Sequence, residues 1–227
     1  MKMTKSKVFT LALTVCLIAI LSMGSLAWFS DSDAVTNEFL VAGSDDKDPD
    51  EIFSVTVWEN VPGETTYEGH TYENILPGDS LKKEVYVENT GSYDQYVRVI
   101  VTISDAEAWI NALGADFNAA TLFEGFDATK WVHVWNNLSE SNGEIPEDLI
   151  FVLYHKDVVG VGDMVKVFES VSIPTGLTRE QAALFEGGFT IDIKAQAVQT
   201  LNVVPEGTAE ADAAFEAFKT VGLGIAD

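Results

Sequence analysis

From Ile52 onward, apolar and polar residues alternate in short runs, the period that puts successive side chains on opposite faces of a strand. In Leu81 to Glu88 the inward set is Leu81, Val85 and Val87, with Lys82, Glu84, Tyr86 and Glu88 facing out. Tyr96 to Ile103 repeats the pattern, with Val97, Val99, Val101 and Ile103 on one face and Arg98 and Thr102 on the other. Between them Asn89-Thr90-Gly91-Ser92 supplies residues that tolerate positive φ, so two antiparallel strands are expected. Further strands are predicted over Ile52 to Trp58, Trp131 to Trp135, Leu149 to His155, Val165 to Ile173 and Phe189 to Ala197. Strands separated by turn signals predict a mainly β chain, an antiparallel β-sandwich of the Ig-like kind with a few short helices.

The helices are read from caps. Ser104 with Glu107, and Thr178 with Gln181, have capping-box spacing, in which each side chain satisfies a free backbone donor. Gly114 and Gly187 are the expected stops. Near the end, Thr208 is the expected cap of a helix with Ala211, Ala214, Phe215 and Phe218 on one face and Gly222 after it. No internal repeat marks an array.

The first residues follow a different pattern. Met1 to Lys7 is basic, Val8 to Leu21 is apolar, and Ser25-Leu26-Ala27 puts small residues at positions -3 and -1 of a cleavage site. Residues 1–27 therefore read as a secretory signal peptide cut between Ala27 and Trp28, and the mature chain is expected outside the cell or at its surface. An uncleaved anchor is the other reading, since Val8 to Ala27 approaches the roughly 20 residues that span a bilayer. Cys16 follows Val15 instead of a small residue, which speaks against lipidation. Residues 28–51 form an N-terminal arm and acidic linker, with Asp45, Asp46, Asp48, Asp50 and Glu51 around Pro49, and residues 52–227 form one sandwich domain.

Charge sharpens the picture. The 227 residues hold 13 Lys+Arg against 36 Asp+Glu, a formal charge of -23, and 47% are apolar. Wholesale disorder is excluded by the apolar fraction. A nucleic-acid partner is excluded by the acidity, because phosphate binding relies on Lys and Arg to displace counterions. Without the leader, which holds Lys2, Lys5 and Lys7 and no acid, the charge becomes -26 and the single cysteine is lost. Disulfides, thiol nucleophiles and Cys-ligated zinc then have no residue to use.

Chemical motifs are few. His70, His133 and His155 lack the His-Glu-x-x-His spacing of a hydrolytic zinc site. Neither a nucleophile elbow nor a phosphate loop is present, and Gly160-Val161-Gly162 reads only as a turn. Ile173-Pro174-Thr175-Gly176 lacks a residue of a sortase signal. The acidic run lacks calcium-loop order, so no metal, cofactor or catalytic residue is assigned. A surface binding module would use aromatics such as Trp58, Tyr67 and Tyr72.

Leu76-Pro77-Gly78-Asp79-Ser80-Leu81, then Val87-Glu88-Asn89-Thr90-Gly91-Ser92 and Tyr96-Val97-Arg98-Val99, resemble the secreted TasA and camelysin (CalY) family. Leu26-Ala27-Trp28-Phe29-Ser30-Asp31-Ser32-Asp33, followed by Asn37-Glu38-Phe39, resembles that family's export signals, and Phe189 to Ala197 with Gln199 is a weaker match. Ser104 to Thr175 has no counterpart. The resemblance implies a jelly-roll-like sandwich, processing by a SipW-type signal peptidase, and a matrix protein whose subunits form biofilm fibres with themselves and with other matrix subunits. Some members are described as metalloendopeptidases, an activity for which the His-Glu-x-x-His motif is missing here.

An apolar arm beside an open sheet edge is what donor-strand addition requires. Trp28, Phe29, Val35, Phe39 and Val41 are the candidate anchors, and head-to-tail insertion would propagate without closing. The same segment equally suits the first strand of its own sandwich, or a tail left by processing.

Overall fold

A computed structural model describes residues 30–34, 54–140 and 144–223. In chain order the strands are β1 (Ser30–Ala34), β2 (Val55–Val61), β3 (Glu64–Thr66), β4 (Ser80–Asn89) and β5 (Gln95–Ile103). After helix α1 (Ala106–Leu113) come β6 (Phe123–Glu124), β7 (Trp131–Asn136), β8 (Leu149–His155) and β9 (Met164–Ser172). Helix α2 (Arg179–Ala182), β10 (Ile191–Gln199) and helix α3 (Ala213–Thr220) complete the described chain. Two antiparallel sheets are stacked, ordered β1-β10-β5-β8-β7 and β3-β2-β4-β9-β6. The first strand lies beside the last, and β4 to β5, β8 to β9 and β9 to β10 each cross between sheets, a jelly-roll-like sandwich.

The alternation sets the core. Val55 and Val57 of β2, Val85 and Val87 of β4, and Val97, Val99, Val101 and Ile103 of β5 are buried between the sheets with Ile193, Ala195 and Ala197 of β10. Branched side chains suit this pleated, buried surface because they lose little rotamer freedom there. Trp109 of α1 plugs one end, stacked on Phe117 at 5.6 Å and meeting Phe185 at 4.6 Å and Phe189 at 5.0 Å.

A second core lies on the outer face of the first sheet. Ile100, Val152, Tyr154 and Val198 point away from the sandwich and are covered by Ala214, Ala217 and Phe218 of α3. Because α3 closes that face, Arg98 is fully buried instead of exposed. Its Nε donates to Gln196 Oε1 at 2.6 Å, its Nη1 donates to the Tyr154 hydroxyl at 3.2 Å, and its guanidinium lies 4.7 Å from the Phe218 ring centre. The outer face of the other sheet carries no helix among the described residues, and there Trp58 stacks on Tyr86 with ring centres 4.3 Å apart.

Several local expectations change. Lys83 joins Val85 and Val87 on the inner face of β4, where unbroken alternation places it, and its ammonium pairs with the carboxylate of Glu59, also inward on β2. Asp105, not Ser104, caps α1: its carboxylate accepts from Ala108 N at 3.2 Å, while Ser104 Oγ accepts from Thr190 N at 2.8 Å. Thr178 and Gln181 do form the capping box expected of them. Thr208 caps no helix, because its hydroxyl donates to Pro205 O at 2.8 Å and α3 starts only after a single turn at Glu210–Asp212.

Candidate functional site

The feature with the clearest potential for assembly is the outer edge of β10. One side of β10 pairs with β5 continuously, from Ile191 opposite Ile103 to Gln199 opposite Gln95. The other side carries its own row of backbone donors and acceptors, a surface that nucleates pairing with another chain unless something covers it. That cover is β1, antiparallel, with Ser30 opposite Val198, Asp31 opposite Ala197, Ser32 opposite Gln196, Asp33 opposite Ala195 and Ala34 opposite Lys194. Thus part of the N-terminal arm is an edge strand of its own sheet in the single chain.

The sequence of β1 is Ser-Asp-Ser-Asp-Ala, without one large apolar residue. Its hold therefore depends mainly on backbone pairing, in which each net hydrogen bond contributes only about 1 kcal/mol. Of the residues read as the assembly arm, Trp28, Phe29, Val35, Phe39 and Val41 lie outside the described residues, as do Ala27 of the cleavage site and the acidic run from Asp45 to Glu51.

The opposite side of β10 is tied to the body. Gln196, opposite Ser32 of β1, accepts the Arg98 bond beneath α3. Ile193, Ala195 and Ala197 lock the inner face of the strand. The edge is thus presented by a strand that cannot shift without disturbing two cores, the rigid half of a pairing site.

The ends of the sandwich are equally well defined. At the end where β4 turns into β5, Asn89 is buried. Its Nδ2 donates to Tyr93 O at 2.8 Å and to Val159 O at 2.9 Å, and its Oδ1 accepts from Gly91 N at 3.0 Å and Gln95 Nε2 at 2.8 Å. One amide thereby joins the β4–β5 and β8–β9 loops. At the other end Gly78 adopts φ 93°, which lets its N–H reach Ile173 O at 3.0 Å and close the Pro77-Gly78 turn onto the end of β9.

The histidines are spread over the fold. His155 is buried edge-on against Trp131, ring centres 4.9 Å apart, and its Nδ1 lies 2.8 Å from Asp157 O. Burial pushes its pKa below the ordinary histidine value, partly offset by that bond. His133 occupies β7 opposite Leu153, and His70 follows β3 with Nδ1 3.1 Å from Glu64 Oε1. Among the described residues no three His, Cys, Asp or Glu side chains converge as metal ligands would.

Nor do the aromatics form one groove. Trp58 is engaged with Tyr86, and Tyr72 donates to Lys82 O and meets the His70 ring at 4.8 Å. Burial and the Glu59 charge push the Tyr72 phenol up to about 12. Tyr67 stands exposed, at 61%. A cleft of about 310 Å³ between Phe117 and Leu138 is lined by Asn137, whose amide donates to Asp148 O at 2.6 Å and accepts from Ile150 N at 2.9 Å.

Sequence patterning leaves open which sheet edge carries β1. A signal for the covered face does exist: Ile100, Val152 and Val198 are apolar at outward positions, which marks a sheet closed on both faces. No family model, curated protein or solved structure matches this chain.

Proposed function

We propose that the chain is a secreted structural protein, a subunit of an extracellular or cell-surface fibre of the TasA and camelysin kind, assembled by exchange of its N-terminal strand between neighbours. The observation that carries this reading is the pairing of Ser30–Ala34 with β10. A segment only a few residues past the expected cleavage site fills a sheet edge, through a sequence of small and acidic residues.

Exchange is then a substitution of like for like. In the single chain the edge of β10 holds its own β1, and in the polymer it holds the same five residues of the next subunit, so each backbone group keeps a partner. Residues 35–53 connect β1 to the body, and a chain of that length reaches roughly 65 Å at about 3.4 Å per residue, enough for either arrangement. The contact is heterologous, so it propagates as a filament. A net charge of -26 on the mature chain disfavours lateral clumping of such filaments. A SipW-type peptidase, cutting between Ala27 and Trp28, would release the arm, and sister matrix subunits with a similar arm are further partners.

Deletion of residues 28–41 tests this. The expected product is a folded monomer that forms no filaments by electron microscopy and binds a peptide of residues 28–41 at its open edge. Filaments at unchanged yield would sink the proposal.

A further inference from the structure

We infer that the two ends of the sandwich are the faces through which successive subunits stack, the β4–β5 and β8–β9 loop end of one copy against the α1–α2 end of the next. This rests on the fibre reading and adds to it the surface, the orientation and the partner, a second copy of this chain.

The first observation is where exposed apolar residues lie. Nine large apolar side chains are exposed among the described residues. Tyr93 is in the β4–β5 loop, Val158 and Val161 in the β8–β9 loop, Met164 opens β9, and Leu201 follows β10. All five belong to one end, because Met164 pairs with Glu88, Gln199 with Gln95, and Gln95 with Val159. Leu76, Ile145 and Leu184 belong to the opposite end, where β4 begins, β8 begins and α2 is followed by its last turn. Of the nine, Tyr67 alone lies elsewhere, beyond β3 at a sheet edge. Loops occupy the ends of any sandwich, and what distinguishes the first end is that Asn89 bonds the loops carrying Tyr93 and Val158 to each other, which brings their exposed apolar side chains onto one surface.

The second observation is the direction of the arm. Ser30 lies at the first end, opposite Val198, and Ala34 lies opposite Lys194, so the strand runs toward the second end. The same chain resumes at Ser54, whose carbonyl accepts from Thr90 N and Gly91 N, back at the first end. When β1 of one subunit occupies β10 of its neighbour, the donor chain leaves the ladder heading for the neighbour's second end and must reach its own first end. The shortest path sets the donor's Tyr93, Val158, Val161 and Leu201 against the acceptor's Leu76, Ile145 and Leu184. The apolar ends and the polarity of the arm, two independent features, specify the same contact.

Charge sets its conditions. The second end holds Asp105, Glu107, Glu147 and Asp148 around a shallow cleft of about 600 Å³, and the first end holds Asp94 and Asp163 beside Lys156 and the Asp157–Lys130 ion pair, so acids are in excess on both. Like charges oppose the contact at low ionic strength, so stacking strengthens as salt screens them within a Debye length of about 10 Å at 0.1 M.

Because the mature chain has no cysteine, two single-cysteine variants, Val161→Cys and Leu184→Cys, report the geometry directly. Mixed, polymerised and treated with a short bismaleimide, they should yield a dimer linked between positions 161 and 184 in filaments and little of it in the monomer fraction. In parallel, Val161→Glu with Leu201→Glu should raise the concentration needed for filaments about tenfold at unchanged Tm, with the arm intact. Filaments that cross-link only through two copies of the Val161→Cys variant, or not at all, overturn the stacking inference and leave strand exchange standing. A wild-type mature chain that forms no filaments at any salt concentration overturns the fibre reading and the stacking with it.

Discussion

Arg98 on β5 and Gln196 on β10 are joined by a 2.6 Å bond from Nε to Oε1, both side chains buried beneath helix α3. Gln196 is also the backbone partner of Ser32. The strand on which β1 pairs is therefore tied to β5 by a polar contact that the Phe218 ring of α3 covers.

Truncating Arg98 leaves the Gln196 carbonyl and the Tyr154 hydroxyl short of a donor in a buried site, and removes packing against Phe218. Arg98→Ala is expected to destabilise the fold by about 3 kcal/mol, since hydrogen bonds to a charged group contribute about 1.5–3 kcal/mol and the stem also packs. Phe218→Ala is expected to cost about 3–5 kcal/mol. Urea unfolding of both single variants and of the double variant checks this: the double variant should fall short of additivity, because the pair is in contact.

Glu59 and Lys83 form a buried pair on the inner face of β2 and β4. Lys83→Met alone strands a carboxylate and should cost about 3–5 kcal/mol, whereas Glu59→Leu with Lys83→Met should be near neutral or stabilising. Thermal unfolding of the two single variants and the double variant separates the cases. A single variant as stable as the wild type would show that water reaches the pair.

His155 gives a pH dependence with a definite sign. Its folded pKa lies below the ordinary 6.5 because burial disfavours the imidazolium. At neutral pH the ring is uncharged in both states and no stability is lost. As pH falls below about 6.5 the unfolded chain takes up the proton first, so stability declines until the folded pKa is passed, by about 1.4 kcal/mol per unit of depression. Asp157, Lys130 and Asp127 are the charged neighbours that modulate it. Stability measured from pH 8 to pH 5 should show this loss, and His155→Phe should remove it.

Much of the sandwich is legible in the chain. Val97, Val99, Val101 and Ile103 alternate cleanly and are all buried, because one face of their strand packs against the opposite sheet. Two strands are not legible, since β3 and β6 have three and two residues, too few to express a period, and β1, polar throughout but for its final alanine, is legible only as one of the alternatives for residues 28–41. The capping box at Thr178 follows from spacing since both of its bonds are local, whereas Ser104 is drawn away by Thr190, a residue distant in sequence.

By itself the sequence determined the faces of the principal strands, the acidity of the chain and the absence of cysteine after residue 16, because each is a property of residues or of their spacing. Only the tertiary structure decided that β1 lies on β10, that Arg98 is buried and Lys83 meets Glu59, and that Tyr93, Val161 and Leu201 share one end. Backbone pairing is nearly blind to side-chain identity, and burial depends on what packs above a residue. Both are settled by partners far away in the chain, which no local pattern can name.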